Sequence, residues 1–192
     1  MKKSPNHRNS LGFTLIEVIV VVAVLTLLAG IIVPMVSSVQ EDAKVAKILS
    51  VVDAVKKACE RHYADTGSLA TELSNSTASS NHELSITQST AGWKGPYLDH
   101  PLTLADNPFG GTVLLYESFT SGTVKPTGFD LMAASSDSAT GAGQYIQFGS
   151  IPESVAKAVD KALDKDLDTS NWKTTGRVEY SGTTLMIFLL DA

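Results

Sequence analysis

The 192-residue sequence predicts an α+β fold, in which a long N-terminal helix packs against a small antiparallel β-sheet and a further helix lies in the C-terminal half. Three observations predict this fold. A continuous apolar run leads into an apolar stripe at helical spacing, which indicates one long helix. Short β-branched and aromatic runs between turns rich in Gly and Ser then indicate strands. The roughly 150 residues after the apolar run are enough for one modest core.

The apolar run covers residues 13–33 and contains one charged residue, Glu17. Roughly 20 residues at about 1.5 Å each give a helix about 30 Å long, which matches the hydrocarbon core of a bilayer. A carboxylate in such a span costs about 2.5 to 3.5 kcal/mol on insertion scales, so Glu17 needs a partner. Basic residues in the first twelve predict that this end stays in the cytoplasm while the remainder is exported.

Two ordinary alternatives exist for this N-terminal region. A secretory signal also joins a basic start to an apolar stretch, and residues 27–30 are similar to its cleavage site at small residues. That stretch would be long for a signal and would contain a charge. A plain signal anchor, the second alternative, leaves Glu17 without a role.

The short basic leader is followed by the residues Gly12-Phe13-Thr14-Leu15-Ile16-Glu17. This segment resembles the class III signal of type IV pilins and type II secretion pseudopilins. The resemblance implies that residues 1–12 are a leader, that prepilin peptidase cuts after Gly12, and that Phe13 becomes N-methylated. It further implies that residues 13–34 form the transmembrane and filament-core half of the helix. Residues 35–192 would be a pilin-like head in the periplasm.

The resemblance gives Glu17 a role in filament assembly, because it becomes the fifth residue of the processed chain. In a stack of subunits its carboxylate would meet the Phe13 amine of a neighbour and set the axial register. Attraction between charges is strong in a low-dielectric setting, and an unpaired charge is penalised there. The alternative is that Glu17 pairs with the amine of its own chain, on the same helix face.

Two residues near the end of the apolar run predict a weak point in the helix. Pro34 lacks an amide hydrogen and clashes with the preceding turn, and Gly30 adds flexibility. Many members of the family also carry a proline at this place. One hypothesis is that this stretch melts or kinks when the helix packs into a filament. The other is a kink at the membrane surface without a role in assembly.

Beyond the apolar run, the helix continues with an apolar stripe that repeats every three or four residues. The stripe consists of Val45, Ile48, Leu49, Val52, Val55, Cys59 and Tyr63. We expect the helix to end near residues 65–67, with Gly67 as its C-terminal cap. Cys59 and His62 lie one turn apart. A catalytic pair is one interpretation, and a buried thiol beside a rim histidine is the favoured one.

Residues 71–90 are rich in Ser, Thr and Asn, and their lack of a period predicts an exposed, mobile loop. Two segments follow, Trp93-Lys94-Gly95-Pro96-Tyr97-Leu98 and Asn107-Pro108-Phe109-Gly110-Gly111. They resemble segments that lie between helix and sheet in major pseudopilins. We expect six residues to pack this region against helix and sheet, namely Trp93, Gly95, Pro96, Tyr97, Pro108 and Phe109. The alternative is a carbohydrate or ligand platform on the two aromatic residues of the first segment.

The remainder of the chain predicts short strands and one helix. Strands are expected at residues 112–117, 129–133 and 145–148, and a terminal hairpin at residues 177–180 and 183–190. The second helix is expected to begin at residues 151–154. Its inward-facing residues would be Val155, Val159, Leu163 and Leu167.

One acidic cluster, Asp164, Asp166 and Asp168, is a weak candidate for a calcium site because it begins like an EF-hand loop. The sixth and twelfth positions of that loop would be Thr169 and Thr175 instead of glycine and glutamate, so a solvated acidic turn is favoured. Major pseudopilins usually end in a calcium-binding loop, and no segment here matches it. We therefore predict no cofactor, with calcium as the remaining candidate.

Charge and motifs limit the function classes. Removing the three basic residues of the leader from the chain's 15 leaves 12 against 20 acidic residues, a net charge of −8. This balance argues against a nucleic-acid partner, which requires a basic surface. The single Cys59 excludes an internal disulfide. The histidines lack metal-ligand spacing, and no phosphate-binding loop or nucleophile elbow occurs, so enzyme activity is not predicted.

These observations predict a structural subunit of a type II secretion pseudopilus at the inner membrane, with its head in the periplasm. The expected partners are prepilin peptidase, other copies of the chain, other pseudopilins, a platform membrane protein and an assembly ATPase. A type IV pilin or minor pilin is the nearest alternative. A membrane-anchored binding module that never polymerises is the alternative of another class.

Overall fold

The structure, a computed structural model, describes residues 13–118, 143–165, 172–174 and 176–191. The chain divides into two compact units, residues 1–41 and residues 42–192, and the first helix belongs to both. Of the helices in the described ranges, none combines the length and apolar character that a membrane crossing requires. The transmembrane role of residues 13–34 stays a prediction.

Helix α1 extends over Leu15–Thr66 and forms one wall of the core of the second unit. Its residues at three- and four-residue spacing are buried there, namely Ile48, Val52, Val55 and Cys59. The helix ends where Gly67 takes a positive φ of 71° and donates its N–H to the carbonyl of Tyr63 over 2.8 Å. Glycine adopts this left-handed conformation without steric cost, which confirms the predicted cap.

The predicted apolar stripe is wrong at the last turn of α1. Tyr63 is 37% exposed, whereas His62 is only 2% exposed and takes the inward position. The ring of Tyr97 from a later loop packs edge-on against His62, with ring centroids 5.5 Å apart. The face that becomes buried at this end of the helix is therefore decided by the loop that covers it.

Five strands form one antiparallel sheet in the order β1-β2-β3-β5-β4. Their bounds are β1 Glu72–Leu73, β2 Val113–Ser118, β3 Gly143–Phe148, β4 Val178–Ser181 and β5 Thr184–Asp191. The register pairs Val113 with Phe148 and Phe148 with Leu185 across the three longest strands. These three side chains belong to the sheet face that joins α1 in the core. The predicted fold class, a helix packed on a small antiparallel sheet, is confirmed.

Helix α2, Glu153–Leu163, is the additional helix predicted for the C-terminal half. Val155 and Val159 are buried as expected, and Leu163 packs against the core at its edge. The terminal hairpin is also confirmed, with β4 and β5 paired as far as Ser181 and Thr184. The strand predicted at residues 129–133, together with Leu167, lies outside the described residues.

The segment 71–90 differs from the exposed, mobile loop that was predicted. It contains strand β1 and a short 3-10 helix at Ser79–Asn81, and three of its side chains, those of Glu72, His82 and Leu84, are at most 5% exposed. Hydrogen bonds to the Glu72 carboxylate and the His82 ring order the segment. Such polar networks need no apolar period, so the pattern used for the prediction does not register them.

Candidate functional site

The N-terminus of α1 contains Glu17 in a reciprocal hydrogen-bond arrangement with Thr14. Glu17 Oε2 accepts hydrogen bonds from the backbone N–H and from the hydroxyl of Thr14, each over 2.8 Å. In return, the Thr14 hydroxyl accepts the backbone N–H of Glu17 over 3.3 Å. This is a capping box, which satisfies backbone donors at the start of a helix. Thr14 was missed as a functional residue, although the spacing Thr-x-x-Glu signals this box.

Around Glu17, the first unit presents an apolar helix surface to its surroundings. Phe13 is 89% exposed, Leu27 is 72% exposed, and the valines between them are about half exposed. Shallow grooves lined by Phe13, Glu17 and neighbouring valines run along this surface. Apolar patches of this extent mark membrane or protein interaction sites. The structure therefore places the Glu17 carboxylate within a surface suited to lipid or to other helices.

The chain stays helical through the two residues predicted to weaken α1. At Gly30, an added Cβ would meet no atom within 4 Å, so the single chain does not need a glycine there for packing. Pro34 also lies inside α1, in a stretch whose side chains are outside the described part. The melting hypothesis for Gly30 and Pro34 stays a prediction.

A second candidate site lies where residues 93–98, here called the aromatic loop, meet the C-terminal end of α1. Tyr97 donates its hydroxyl to Asp65 Oδ2 over 3.1 Å, and Lys94 Nζ pairs with Asp65 Oδ1 at 2.7 Å. The Lys94 hydrogen bond lowers the pKa of Asp65, and the Tyr97 hydroxyl adds to this effect. The same pairing raises the pKa of Lys94. The loop is thus fastened to the last turn of the helix by charge and hydrogen bonding.

The aromatic loop is held from within by its two rings. Trp93 and Tyr97 make an edge-to-face contact at 5.7 Å between centroids, and the Trp93 indole N–H donates to the carbonyl of Glu83 over 2.9 Å. A Cβ at Gly95 would lie 2.5 Å from the indole, so only glycine fits between the rings. Pro96 follows through a cis peptide bond and is exposed. Both rings therefore make contacts within the protein, and the alternative of a ligand platform stays untested.

Residues 107–111 form a second loop, which connects the region after α1 to the turn that follows β3. The amide of Asn107 is buried, donating to the carbonyl of Gly149 over 2.7 Å and accepting the Phe109 N–H over 2.9 Å. Lys44 of α1 lies over the Phe109 ring, 4.5 Å from its centroid. Pro108, between them, is partly buried. Phe109 and Asn107 together link helix to sheet.

Comparison with protein families adds two matches to this geometry. Residues 7–33 match the prokaryotic N-terminal methylation motif, and residues 40–125 match the model described as PilW, C-terminal. The first match contains the capping box, and the second contains the aromatic loop. Together the two matches support a type IV pilin-like family protein. Comparison with curated proteins and with solved structures finds no match.

The match to the methylation motif indicates what the N-terminal residues do in a pilin-like protein. The methylation motif implies processing by prepilin peptidase and assembly into a filament. Gly12, before the expected cut, lies outside the described residues. Phe13, after it, is the first described residue and is highly exposed. Cleavage there would place a new amine next to the Thr14–Glu17 capping box.

The Cys59–His62 pair is not arranged for catalysis in this pilin-like protein. Burial raises the pKa of the Cys59 thiol far above its ordinary value, and the charges of Glu60 and Glu72 add to the rise. A thiol that stays protonated is a poor nucleophile. The His62 ring lies 3.1 Å from the carbonyl of Ser68 through Nδ1. The buried thiol is as predicted, but the rim position predicted for His62 is wrong, because that ring is buried.

The acidic candidate for a calcium site is only partly described. Asp164 follows α2, and its Oδ2 accepts the backbone N–H groups of Arg177 and Val178 over 2.7 and 3.1 Å. This carboxylate therefore fastens the end of α2 to the start of β4. Asp166 and Asp168 lie outside the described residues. Within the described ranges, no group of three or more potential ligands could hold a metal ion. The calcium site stays an untested prediction.

Proposed function

We propose that this protein is a non-enzymatic structural subunit of a type IV pilus-like filament, in the manner of a minor pilin. The observation that supports this most is the exposed apolar surface of residues 13–28 with Glu17 as its one charge. Such a surface needs a cover in every state of the protein. Lipid of the inner membrane supplies the cover before assembly, and the helices of neighbouring subunits supply it in the filament.

The geometry at Glu17 supports a function in register as well as in capping. The hydrogen bonds from Thr14 use Oε2 of Glu17. Oε1 is then the atom that meets the Phe13 amine of a neighbouring subunit. A carboxylate with both partners is satisfied inside a helical bundle, whereas a shifted stack leaves the charge buried without a cation. Capping and intermolecular pairing are therefore compatible in one conformation.

Three variants separate these two roles of Glu17 in an assembly assay. Glu17→Gln keeps the shape and an oxygen that accepts hydrogen bonds from Thr14, but it removes the charge. Glu17→Ala removes both, and Thr14→Ala is the matched control that removes the hydroxyl of the cap and leaves the charge. Each variant is produced with the assembly machinery, and filament incorporation is measured by shearing and immunoblotting, with membrane insertion measured in parallel.

The proposal expects membrane insertion of all three variants, together with filament incorporation of Thr14→Ala. Glu17→Gln and Glu17→Ala should insert and fail to be incorporated. Normal incorporation of Glu17→Gln would contradict the register role. If even the unsubstituted chain stays outside filaments while it remains processed and folded, the protein is an anchored binding module instead.

A second candidate function is a subunit of a type II secretion pseudopilus. The attachment of the aromatic loop to α1 and of residues 107–111 to the turn after β3 supports it, because these segments resemble those of major pseudopilins. Deleting the gene in the source bacterium separates the candidates. Loss of surface pili with normal protein export favours the minor pilin, and loss of export with normal pili favours the pseudopilin.

A further inference from the structure

One surface turn of the second unit carries a residue pattern that the proposed function does not use. The segment Asn75-Ser76-Thr77 is the only place in the chain where a serine or threonine stands two residues after an asparagine. This spacing, with a residue other than proline in the middle, is the acceptor signal for N-linked glycosylation. Because so short a signal also occurs by chance, its surroundings in the fold decide whether it is usable.

The backbone presents Asn75 in a tight turn. Strand β1 ends at Leu73, and the N–H of Ser76 donates to the carbonyl of Leu73 over 3.1 Å. This hydrogen bond closes a four-residue β-turn whose central residues are Ser74 and Asn75. Asparagine is favoured in such turns, and the side chain of Asn75 is exposed. The turn therefore sets this side chain at the surface, directly after the strand at one edge of the sheet.

The middle residue of the signal anchors the segment, while its two neighbours stay outside. Ser76 is half-buried, and its hydroxyl accepts a hydrogen bond from the Asn81 amide over 2.9 Å. The Ser76 carbonyl lies 3.1 Å from Nε2 of the buried His82 ring. Asn75 and Thr77, on either side, are both exposed. An amide and a hydroxyl are therefore presented to solvent from a backbone that is held between them.

The other asparagines that the structure describes use their amides inside the protein. Asn107 is buried and donates to the carbonyl of Gly149 over 2.7 Å, and Asn81 donates to the Ser76 hydroxyl. Among the described residues, none forms a hydrogen bond with the side chain of Asn75. A sugar bonded to the Asn75 nitrogen would therefore displace no hydrogen bond of the described part of the chain.

We propose that Asn75 is a glycosylation site, whose side-chain amide accepts a sugar from a glycosyl diphosphate. The amide nitrogen bonds to the anomeric carbon, and the bond from that carbon to the diphosphate oxygen breaks. The diphosphate leaves with the electron pair, and one amide proton passes to a base of the glycosyltransferase. Thr77 supplies the hydroxyl that this enzyme recognises. The diphosphate is carried either by a membrane lipid on the exported side or by a nucleotide in the cytoplasm.

Mass spectrometry of the chain purified from its source organism tests the proposal. Trypsin releases residues 62–94 as one peptide, because no lysine or arginine lies between Arg61 and Lys94. We expect this peptide to carry the mass of a sugar, and fragmentation that preserves the sugar should locate it on Asn75. An Asn75 that is unmodified in every copy would overturn the proposal. Sugars found only on serine or threonine side chains of the peptide would overturn it as well.

Three variants in the same organism test the signal itself. Asn75→Gln removes the acceptor, and Thr77→Ala removes only the hydroxyl, so both should abolish the modification. Thr77→Ser is the matched control, because it restores the hydroxyl and should restore the sugar. Both positions are exposed, so none of these substitutions disturbs the core. A peptide that keeps its sugar in Thr77→Ala, or one that keeps it in Asn75→Gln, would overturn the assignment to this signal.

Blocking protein export in these cells, for example with sodium azide, identifies the source of the sugar. A retained chain that already carries the sugar supports the proposal with a nucleotide-linked donor in the cytoplasm. A retained chain without sugar, beside exported chain that carries it, supports the proposal with a lipid-linked donor. Absence of sugar from both the retained and the exported chain would overturn the proposal.

Discussion

At the level of single residues, three carboxylates have different surroundings, and their surroundings decide what each can do. Glu17 lies exposed among apolar side chains and caps its own helix through Thr14. Asp65 sits at the opposite end of α1, where Lys94 and Tyr97 bind it. Glu72 is buried with a histidine. Filament assembly as we propose it, attachment of the aromatic loop and ordering of residues 72–85 therefore depend on separate carboxylates.

The Asp65 pair predicts a defined acid response. Because the pKa of Asp65 is lowered from 3.8 in the folded state, its contribution to stability is present above pH 3.8 and is lost as the pH falls through the folded value. Asp65→Asn should therefore destabilise the protein at neutral pH and make no difference in strong acid. Denaturant unfolding of both proteins from pH 7 to pH 2 measures this. A constant difference across that range would contradict the prediction.

The lysine of the same pair provides the matched control. Lys94→Met removes the largest cause of the lowered pKa of Asp65 and keeps most of the side-chain length. Combined with Asp65→Asn, it completes a double-mutant cycle, which isolates the interaction between the two residues. We expect a favourable coupling at pH 7 that disappears at pH 2. Additive effects of the two substitutions at pH 7 would show that the pair contributes nothing.

At the level of elements, the end of α1 depends on one backbone conformation. Gly67 has a φ of 71°, and an added Cβ would meet no atom within 4 Å, so only the conformation opposes a side chain. Gly67→Ala should cost about 1 to 2 kcal/mol of unfolding free energy. Gly67→Asn should cost less, because asparagine tolerates the left-handed region. Equal costs in thermal or denaturant unfolding would contradict this assignment of the cap.

Packing of α1 on the sheet depends on its buried stripe. Ile48 is fully buried in the core, and Ile48→Ala should cost about 2 to 5 kcal/mol of unfolding free energy, the range for truncating buried aliphatic residues. Leu104→Ala is the control, because Leu104 is 48% exposed. Its cost should be much smaller in the same denaturant titration. If Ile48→Ala lowered the unfolding free energy less than Leu104→Ala, the assignment of Ile48 to the core would be contradicted.

The elements that the sequence predicts well are those with a local pattern. The helical spacing of Ile48, Val52 and Val55, the glycine at position 67 and the short β-branched runs indicate α1, its end and strands β2, β3 and β5. Strand β1 has two residues and begins with a charged one, Glu72, so it follows no strand pattern. Its place is fixed by pairing with β2 and by the hydrogen bonds of the buried Glu72 carboxylate.

Predictions of candidate site residues fail where partners come from distant parts of the chain. His62 is buried because Tyr97, 35 positions later, covers it, and spacing along α1 does not encode that cover. The burial of Glu72 depends on donors as far away as Leu102. In contrast, Glu17 is recognisable from the sequence because a charge in an apolar run is a local feature, and its role in filament register stays a prediction. Its capping partner Thr14 was equally local and was overlooked.

At the level of the whole molecule, the family matches and the exposed apolar surface fit a subunit that, as we propose, passes from the membrane into a filament. The N-terminal motif implies a processed subunit. The second unit is a helix packed on a sheet, and among its described residues no group of ligands could hold a metal ion. The match of residues 40–125 favours a pilus-like filament, and the resemblance of the two loops favours a secretion pseudopilus. We propose that in either filament the surface around Glu17 is covered by neighbouring subunits.

The mass of the N-terminal peptide from protein extracted out of filaments tests this account most directly. We predict a chain that begins at Phe13 and carries one extra methyl group on its amine. That result would supply the cation that Glu17 requires in a neighbouring subunit. A chain within working filaments that still contains residues 1–12, or one that begins near Ile31, would contradict the account.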